Sequence, residues 1–242
     1  MLKILKNIRN SFFLFAILLS GFSDLEAKNS KDVSNTEVKR KTISHKKKYS
    51  LTLANSKDGH PVRSGKKSYR FEVRLGDCGK DSGHDDCKKD RQRTELQFKK
   101  HQMGKKDHWY SASIYLPEDY QSVAPVRTTF AQLYEKGWKP ILMITDRSGE
   151  WLEVGRMWSG EYVEMKKAIR INDMRGKWTD VLINARYSRE ENGFMKVWIN
   201  NKLILNAENI KNITPYTKRG VGLDFGIYPV SYTHLRAHET LR

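Results

Sequence analysis

Three short stretches set polar side chains at the two-residue spacing of a β-strand. In Arg93-Thr94-Glu95-Leu96-Gln97, alternation puts Arg93, Glu95 and Gln97 on one face and Leu96 and Phe98 on the other. In Phe130-Ala131-Gln132-Leu133-Tyr134, Gln132 and Tyr134 share a face. The third stretch reads Phe225-Gly226-Ile227-Tyr228. Arginine is a bidentate donor for a carboxylate, and a glutamine amide is a neutral donor. A tyrosine hydroxyl, with an unperturbed pKa of about 10, serves as a base only where cations lie close. Other chemistries lack their residues. There is no GxSxG, HExxH, P-loop or zinc-ligand spacing. Glu150 and Glu153 are three apart, so a strand points them to opposite faces and they cannot act as the paired carboxylates of a glycoside hydrolase.

Together, and in this order, the three stretches resemble the jelly-roll polysaccharide lyases, a group that includes alginate lyases, glucuronan lyases and the smaller heparin lyases. The shared pattern is an R-[ST]-E-L strand, a Q-x-H strand and a K-x-G-[IV]-Y strand. Tyr110 to Pro117 resembles the strand that precedes a Leu-Pro turn in this group. Trp178-Thr179-Asp180, Tyr187-Ser188, Gly193 and Val197-Trp198-Ile199-Asn200 resemble its W-x-D…S…G…VWxNG segment, and Arg70-x-Glu72-x-Arg74-x-Gly76-Asp77 its strand before the loop. The likeness runs from Tyr49 to Tyr228 and is nearest to the glucuronan and small heparin lyases. Tyr134 stands where the pattern has His, and Asp224 where it has Lys.

The resemblance implies a lyase that removes the C5 proton of a uronate and expels the 4-O-linked sugar. The catalytic set would be Tyr228 for proton transfer, Arg93 and Gln132 for the carboxylate, and Tyr134. The substrate-binding set would be Arg70, Arg74, Glu95, Gln97, Trp138 and Asn184. Arg70 and Arg74 would join Arg93 as cations around Tyr228, and Glu95 would orient an arginine. The runner-up is a non-catalytic carbohydrate-binding sandwich of the same fold.

These residues need a sheet to hold them. From Tyr49 onward the chain shows twelve short β-type runs: Tyr49–Ala54, Ser68–Leu75, Arg93–Phe98, Trp109–Leu116, Val126–Tyr134, Ile141–Thr145, Trp151–Met157, Tyr162–Ile171, Trp178–Tyr187, Phe194–Ile199, Lys202–Leu205 and Gly222–Tyr228. Asn192-Gly193 and Asn200-Asn201 mark turns between them. No long helical period is present. The expected fold is all-β, a two-sheet antiparallel jelly roll of concanavalin-like type.

The flanks carry the remaining signals. Lys3, Lys6 and Arg9 precede the apolar run Ser11–Ser20, which predicts a signal peptide over 1–27 and a secreted or periplasmic protein without a stable membrane span. Residues 28–48, with basic clusters at Lys39–Lys41 and Lys46–Lys48, read as a flexible tether, and 49–228 as the lyase domain. Residues 229–242 read as a non-native tail resembling a translated sequencing adapter. In an oxidising compartment the two cysteines, Cys78 and Cys87, predict a disulfide. Asp81, His84, Asp85 and Asp86 between them make calcium conceivable, but no metal site and no required cofactor is expected. The net charge of +17 points to a polyanion, which export turns from nucleic acid to an anionic polysaccharide: alginate, glucuronan or a heparin-like chain, bound by a monomer.

Overall fold

The computed structural model describes residues 38–98, 106–135, 139–217 and 219–230. The expected signal peptide, the first part of the tether, Trp138 and the tail beyond residue 230 lie outside the described residues. The chain begins with β1 (Val38–Arg40), β2 (Leu51–Asn55), β3 (Lys67–Phe71), β4 (Lys80–Asp81) and β5 (His84–Asp85). Then come β6 (Thr94–Phe98), β7 (Asp107–Tyr115), β8 (Thr128–Glu135), β9 (Pro140–Asp146), β10 (Trp151–Trp158) and β11 (Glu161–Arg170). A single helical turn, α1 (Ile171–Met174), leads to β12 (Trp178–Arg186), β13 (Gly193–Ile199), β14 (Lys202–Ile210) and β15 (Val221–Pro229).

The strands form a seven-stranded sheet in the order β1-β6-β15-β8-β9-β10-β11 and a four-stranded sheet in the order β14-β13-β12-β7. All pairs in these two sheets are antiparallel. The core lies between them. Leu133, Leu142, Ile144, Leu152 and Val154 from the larger sheet meet Val181, Ile183, Ala185, Met195, Val197 and Leu205 from the smaller, with Ile171 and Met174 of α1 adding to the same cluster. Alternation decides which side chains enter: in β12, Val181, Ile183 and Ala185 are buried in the core cluster, while Asp180, Leu182 and Arg186, which alternate with them, are partly exposed. The architecture is the antiparallel jelly-roll sandwich that the twelve runs predict.

Two ribbons complete the fold, β2 with β3 and β4 with β5. Among the described residues, 53–68 fall in a different compact unit from the rest. In it a 3-10 turn at Ser56–Asp58 is capped by Asn55, whose side chain accepts from Lys57 N, and Ser56 N donates to Lys66 O. Among the described residues no helix is long and apolar enough to cross a membrane.

Two expectations are corrected. The tether does not extend over its last residues. Val38, Lys39 and Arg40 pair with Phe98, Gln97 and Leu96, and the attachment continues through Lys41 N to Glu95 O and His45 N to Arg93 O. Without β1, the free edge of β6 would leave its backbone groups unpaired, and the basic segment supplies them. The strand expected over Ser68–Leu75 stops at Phe71. Arg74 N donates to Asp77 Oδ2 and Asp77 N to Arg74 O, with Gly76 at φ 85°, so the chain turns there and Leu75 stays exposed.

Candidate active site

Three adjacent strands, β6, β15 and β8, bring the sequence-predicted residues together. Gln97 pairs with Asp224, which pairs with Gln132 on its other side. Further along, Thr94 lies opposite Ile227, and Tyr228 lies opposite Thr129. Two irregularities set this register. Gly226 adopts φ 149°, and a Cβ there would stand 2.3 Å from Thr94 O and 2.8 Å from Glu95 Cα. Only glycine lets β15 pass β6 so closely, which gives the Gly of the third stretch a physical reason. A bulge between Thr129 and Ala131 turns Phe130 and Ala131 both into the core cluster and leaves Thr129 alongside Tyr228.

The centre is Arg93, almost fully buried. Its Nε and Nη2 donate to Asp86 Oδ2 and Oδ1 at 2.8 and 2.9 Å. Nη2 also donates to Tyr228 Oη at 3.0 Å, and the guanidinium carbon stands 3.9 Å from the Tyr228 ring centroid. Nη1 lies 3.5 Å from Glu95 Oε2. Glu95 in turn accepts from Gln132 Nε2 at 3.1 Å through Oε1 and lies 3.4 Å from Lys41 Nζ through Oε2. Lys41 pairs with Asp224, whose other oxygen accepts from Gln97 Nε2 at 3.2 Å. Gln97 also donates to Tyr134 Oη, and the Lys41 ammonium sits 5.4 Å from the Tyr134 ring centroid. Arg93, Gln132, Tyr228, Tyr134, Glu95 and Gln97 thus belong to one connected cluster.

Burial sets the charges. It acts to lower the Arg93 pKa, but Tyr228, Glu95 and Asp86 outweigh it and the guanidinium is held charged. Burial likewise opposes the Lys41 ammonium, and Glu95 and Asp224 more than compensate. The carboxyl of Asp86 is raised because burial exceeds the pull of Arg93. Asp224 is pushed up to about 6 by burial, against Lys41 and with Glu95. Tyr134 is raised by burial and then by Asp224 and Glu95, so its hydroxyl stays protonated.

The structure moves other expected residues out of the cluster. Arg70 and Arg74 do not surround Tyr228. Both bind Glu72, at 2.5 and 2.6 Å, with about half or more of each side chain in solvent, and Arg74 covers the Tyr49 ring. The cations here are Arg93 and Lys41 instead. Asn184 lies in β12, in the four-stranded sheet, where its amide donates to His108 O. Arg93 itself, expected to grip a substrate carboxylate with two donors, has that fork filled by Asp86.

Two members were not assigned to this cluster from the sequence. Asp86 belongs to the Cys78–Cys87 loop. The disulfide closes that loop beneath the β4–β5 hairpin, which delivers Asp86 fully buried to Arg93. His84 Nε2 approaches the same Asp86 at 3.3 Å. The neighbouring carboxylates have local partners: Asp81 accepts from Gly83 N, and Asp85 from Lys88 N and pairs with Lys80. Among the described residues no group of three metal-ligating side chains converges. Lys41 was hidden in a basic run, and only the pairing of β1 reveals its direction. The signal for Asp86 was its place inside a disulfide loop just ahead of the Arg93 strand.

No curated protein matches the chain in sequence. In fold it is similar to the crystal structure of endo-beta-1,4-glucuronan lyase from the fungus Trichoderma reesei, with a TM-score of 0.58 and 14% identity over 81% of each chain. The sequence also matches the polysaccharide lyase family across residues 31–239, a span that takes in β1 and every strand of both sheets. On that match the chain belongs to the polysaccharide lyase family, and it is a lyase.

Proposed function

We propose that this lyase is exported and cleaves a uronate-containing acidic polysaccharide by β-elimination, with Tyr228 as the residue that moves the proton. The observation that carries this reading is the single contact between Arg93 Nη2 and Tyr228 Oη, made beneath a guanidinium stacked on the same ring. That contact holds the Tyr228 hydroxyl in one orientation for proton transfer. The phenolate removes the proton at C5 of the uronate. The electron pair of that C–H bond forms the C4=C5 double bond, and the C4–O4 bond breaks. Tyr228, now protonated, returns its proton to the departing oxygen.

Arg93 serves as a positioning residue, because its fork is held by Asp86 and its remaining reach goes to Tyr228 and Glu95. Gln132 has one amide hydrogen on Glu95 and a second to offer to the substrate carboxylate, whose charge grows as the C5 proton leaves. The partner is read from charge: an excess of 45 Lys and Arg over 28 Asp and Glu suits an anionic chain. The disulfide fits export, as does the basic and apolar N-terminus.

The test is ultraviolet absorbance of the unsaturated uronate product from glucuronan, alginate and heparin. A rise with one of them supports the reading and names the polymer. Cleavage without an unsaturated product overturns β-elimination.

A further inference from the structure

The cluster around Tyr228 holds three carboxylates, Asp86, Glu95 and Asp224, against two cations, Arg93 and Lys41. A uronate carboxylate would add another anion to a buried site that already has more anions than cations. Neither cation has a free fork to give it. A further cation must come from a neighbouring part of the same sheet face.

One is present. Met143 lies directly opposite Gln132 in the β8–β9 register, and Gly155 lies opposite Met143 in the β9–β10 register. A Cβ on Gly155 would fall 2.3 Å from Tyr162 Cε1, so the missing side chain is what lets the Tyr162 ring cross β10. From there Tyr162 Oη donates to Met143 Sδ at 3.5 Å and accepts from Arg127 Nη1 at 3.3 Å. The Arg127 guanidinium is thereby placed beside Met143, the next strand over from Gln132. Its Nε is buried and has no acceptor, and among the described residues no carboxylate lies within ion-pair reach of it. Arg147 stands over the same ring, its guanidinium carbon 5.0 Å from the centroid, also with no carboxylate partner among the described residues. Four other arginines are ion-paired, Arg186 with Asp107, Arg156 with Glu164, and Arg70 and Arg74 with Glu72, whereas Arg91 and Arg175, away from the Tyr162 ring, share with Arg127 a buried Nε without an acceptor.

We propose that Arg127, positioned by Tyr162 and backed by Arg147, is the carboxylate-binding residue of the substrate track next to Gln132, taking the role that Asp86 denies to Arg93. The inference rests on the lyase reading for its substrate class, an anionic uronate chain. Burying a charged donor without an acceptor is costly, and a substrate carboxylate would relieve that cost on binding. Tyr162 serves this arrangement by orientation: its ring spans the gap that Gly155 leaves, and its hydroxyl fixes the end of a long side chain.

The test uses the full chain and measures affinity for uronate oligosaccharides by calorimetry, with carboxyl-reduced oligosaccharides of the same length as the comparison. Loss of a hydrogen bond to a charged group predicts that Arg127→Ala weakens uronate binding roughly 10- to 100-fold and leaves binding of the carboxyl-reduced chain unchanged. Arg127→Lys should restore part of the loss, and Tyr162→Phe should cause a smaller loss of the same selectivity. Thermal unfolding checks that each variant is folded; if Arg127→Ala is not, Arg127→Lys and Tyr162→Phe carry the comparison. Unchanged uronate affinity, or equal losses for both chains, overturns the proposal. The lyase reading fails separately, if wild-type protein binds a uronate chain and yields no unsaturated product.

Discussion

At the scale of single residues, Arg93 shows how a side chain can be right in type and different in task. As a bare arginine on a polar strand face it reads as a ligand for carboxylate. Asp86 takes its fork, and what remains points at Tyr228. Two predictions belong here. Tyr228→Phe keeps the ring on Arg93 but removes the hydroxyl proposed to carry the proton. Product formation should fall by at least about 100-fold while affinity for the polymer survives, as read by absorbance and affinity electrophoresis; unchanged turnover would remove Tyr228 from the mechanism. Asp86→Ala leaves Arg93 buried with one anchor gone. Breaking such a pair should cost about 3–5 kcal/mol in chemical denaturation and lower turnover, since the guanidinium can no longer be held under Tyr228. An exposed, replaceable Asp86 would instead cost little.

At the scale of elements, the site depends on pieces that lie outside the main strands. The Cys78–Cys87 bond and the β4–β5 hairpin together deliver one carboxylate. Replacing both cysteines by serine should lower stability by roughly 2–3 kcal/mol, from the loop-closure entropy of a short loop. It should lower kcat more than it raises KM, because the loop grips Arg93 rather than the polymer. A KM-only effect would place the loop on the substrate. In β15, Gly226→Ala meets Thr94 O at a distance no Cβ tolerates and starts from a positive φ. We expect separation of β15 from β6 and loss of activity even where the protein stays soluble, measurable as lost hydrogen-exchange protection at residues 94–97 and 224–227.

At the scale of the whole molecule, charge acts in two ways. On the proposed substrate class, the excess of basic residues would draw the anionic chain in from solution, a long-range effect that salt screens. Inside, Asp224 couples protonation to folding. Its carboxyl is raised to about 6 in the fold, against about 4 in an unfolded chain. Between those values the folded state binds more protons, so this group's contribution to stability is full below about pH 4 and is lost as pH rises through about 6. Asp224→Asn should flatten that part of the profile of melting temperature against pH, and on the order of 2–3 kcal/mol of pH-dependent stability would disappear. A profile identical to wild type would show that Lys41 fully neutralises Asp224.

Much of this molecule was legible before any fold was known. Period-two alternation located all twelve of the longer strands, because a strand with one buried face must alternate. The Arg93, Gln132 and Tyr228 stretches were picked out as strands, which the fold sets side by side, and the two cysteines gave the disulfide. The sequence could not give direction and partnership. A three-residue strand such as β1 is too short to show a period, so Lys41 read as part of a solvated tether until its pairing with β6 turned it inward. Arg70, Arg74 and Arg93 look alike in a strand pattern; only the packing of the Cys78–Cys87 loop decided that Arg93 is the buried one and that the others stay on Glu72. Arg127 and Tyr162 are 35 residues apart and met only because Gly155 leaves room between their strands. Residue type and spacing determine which faces exist, whereas the tertiary structure decides which charges on those faces are already spent.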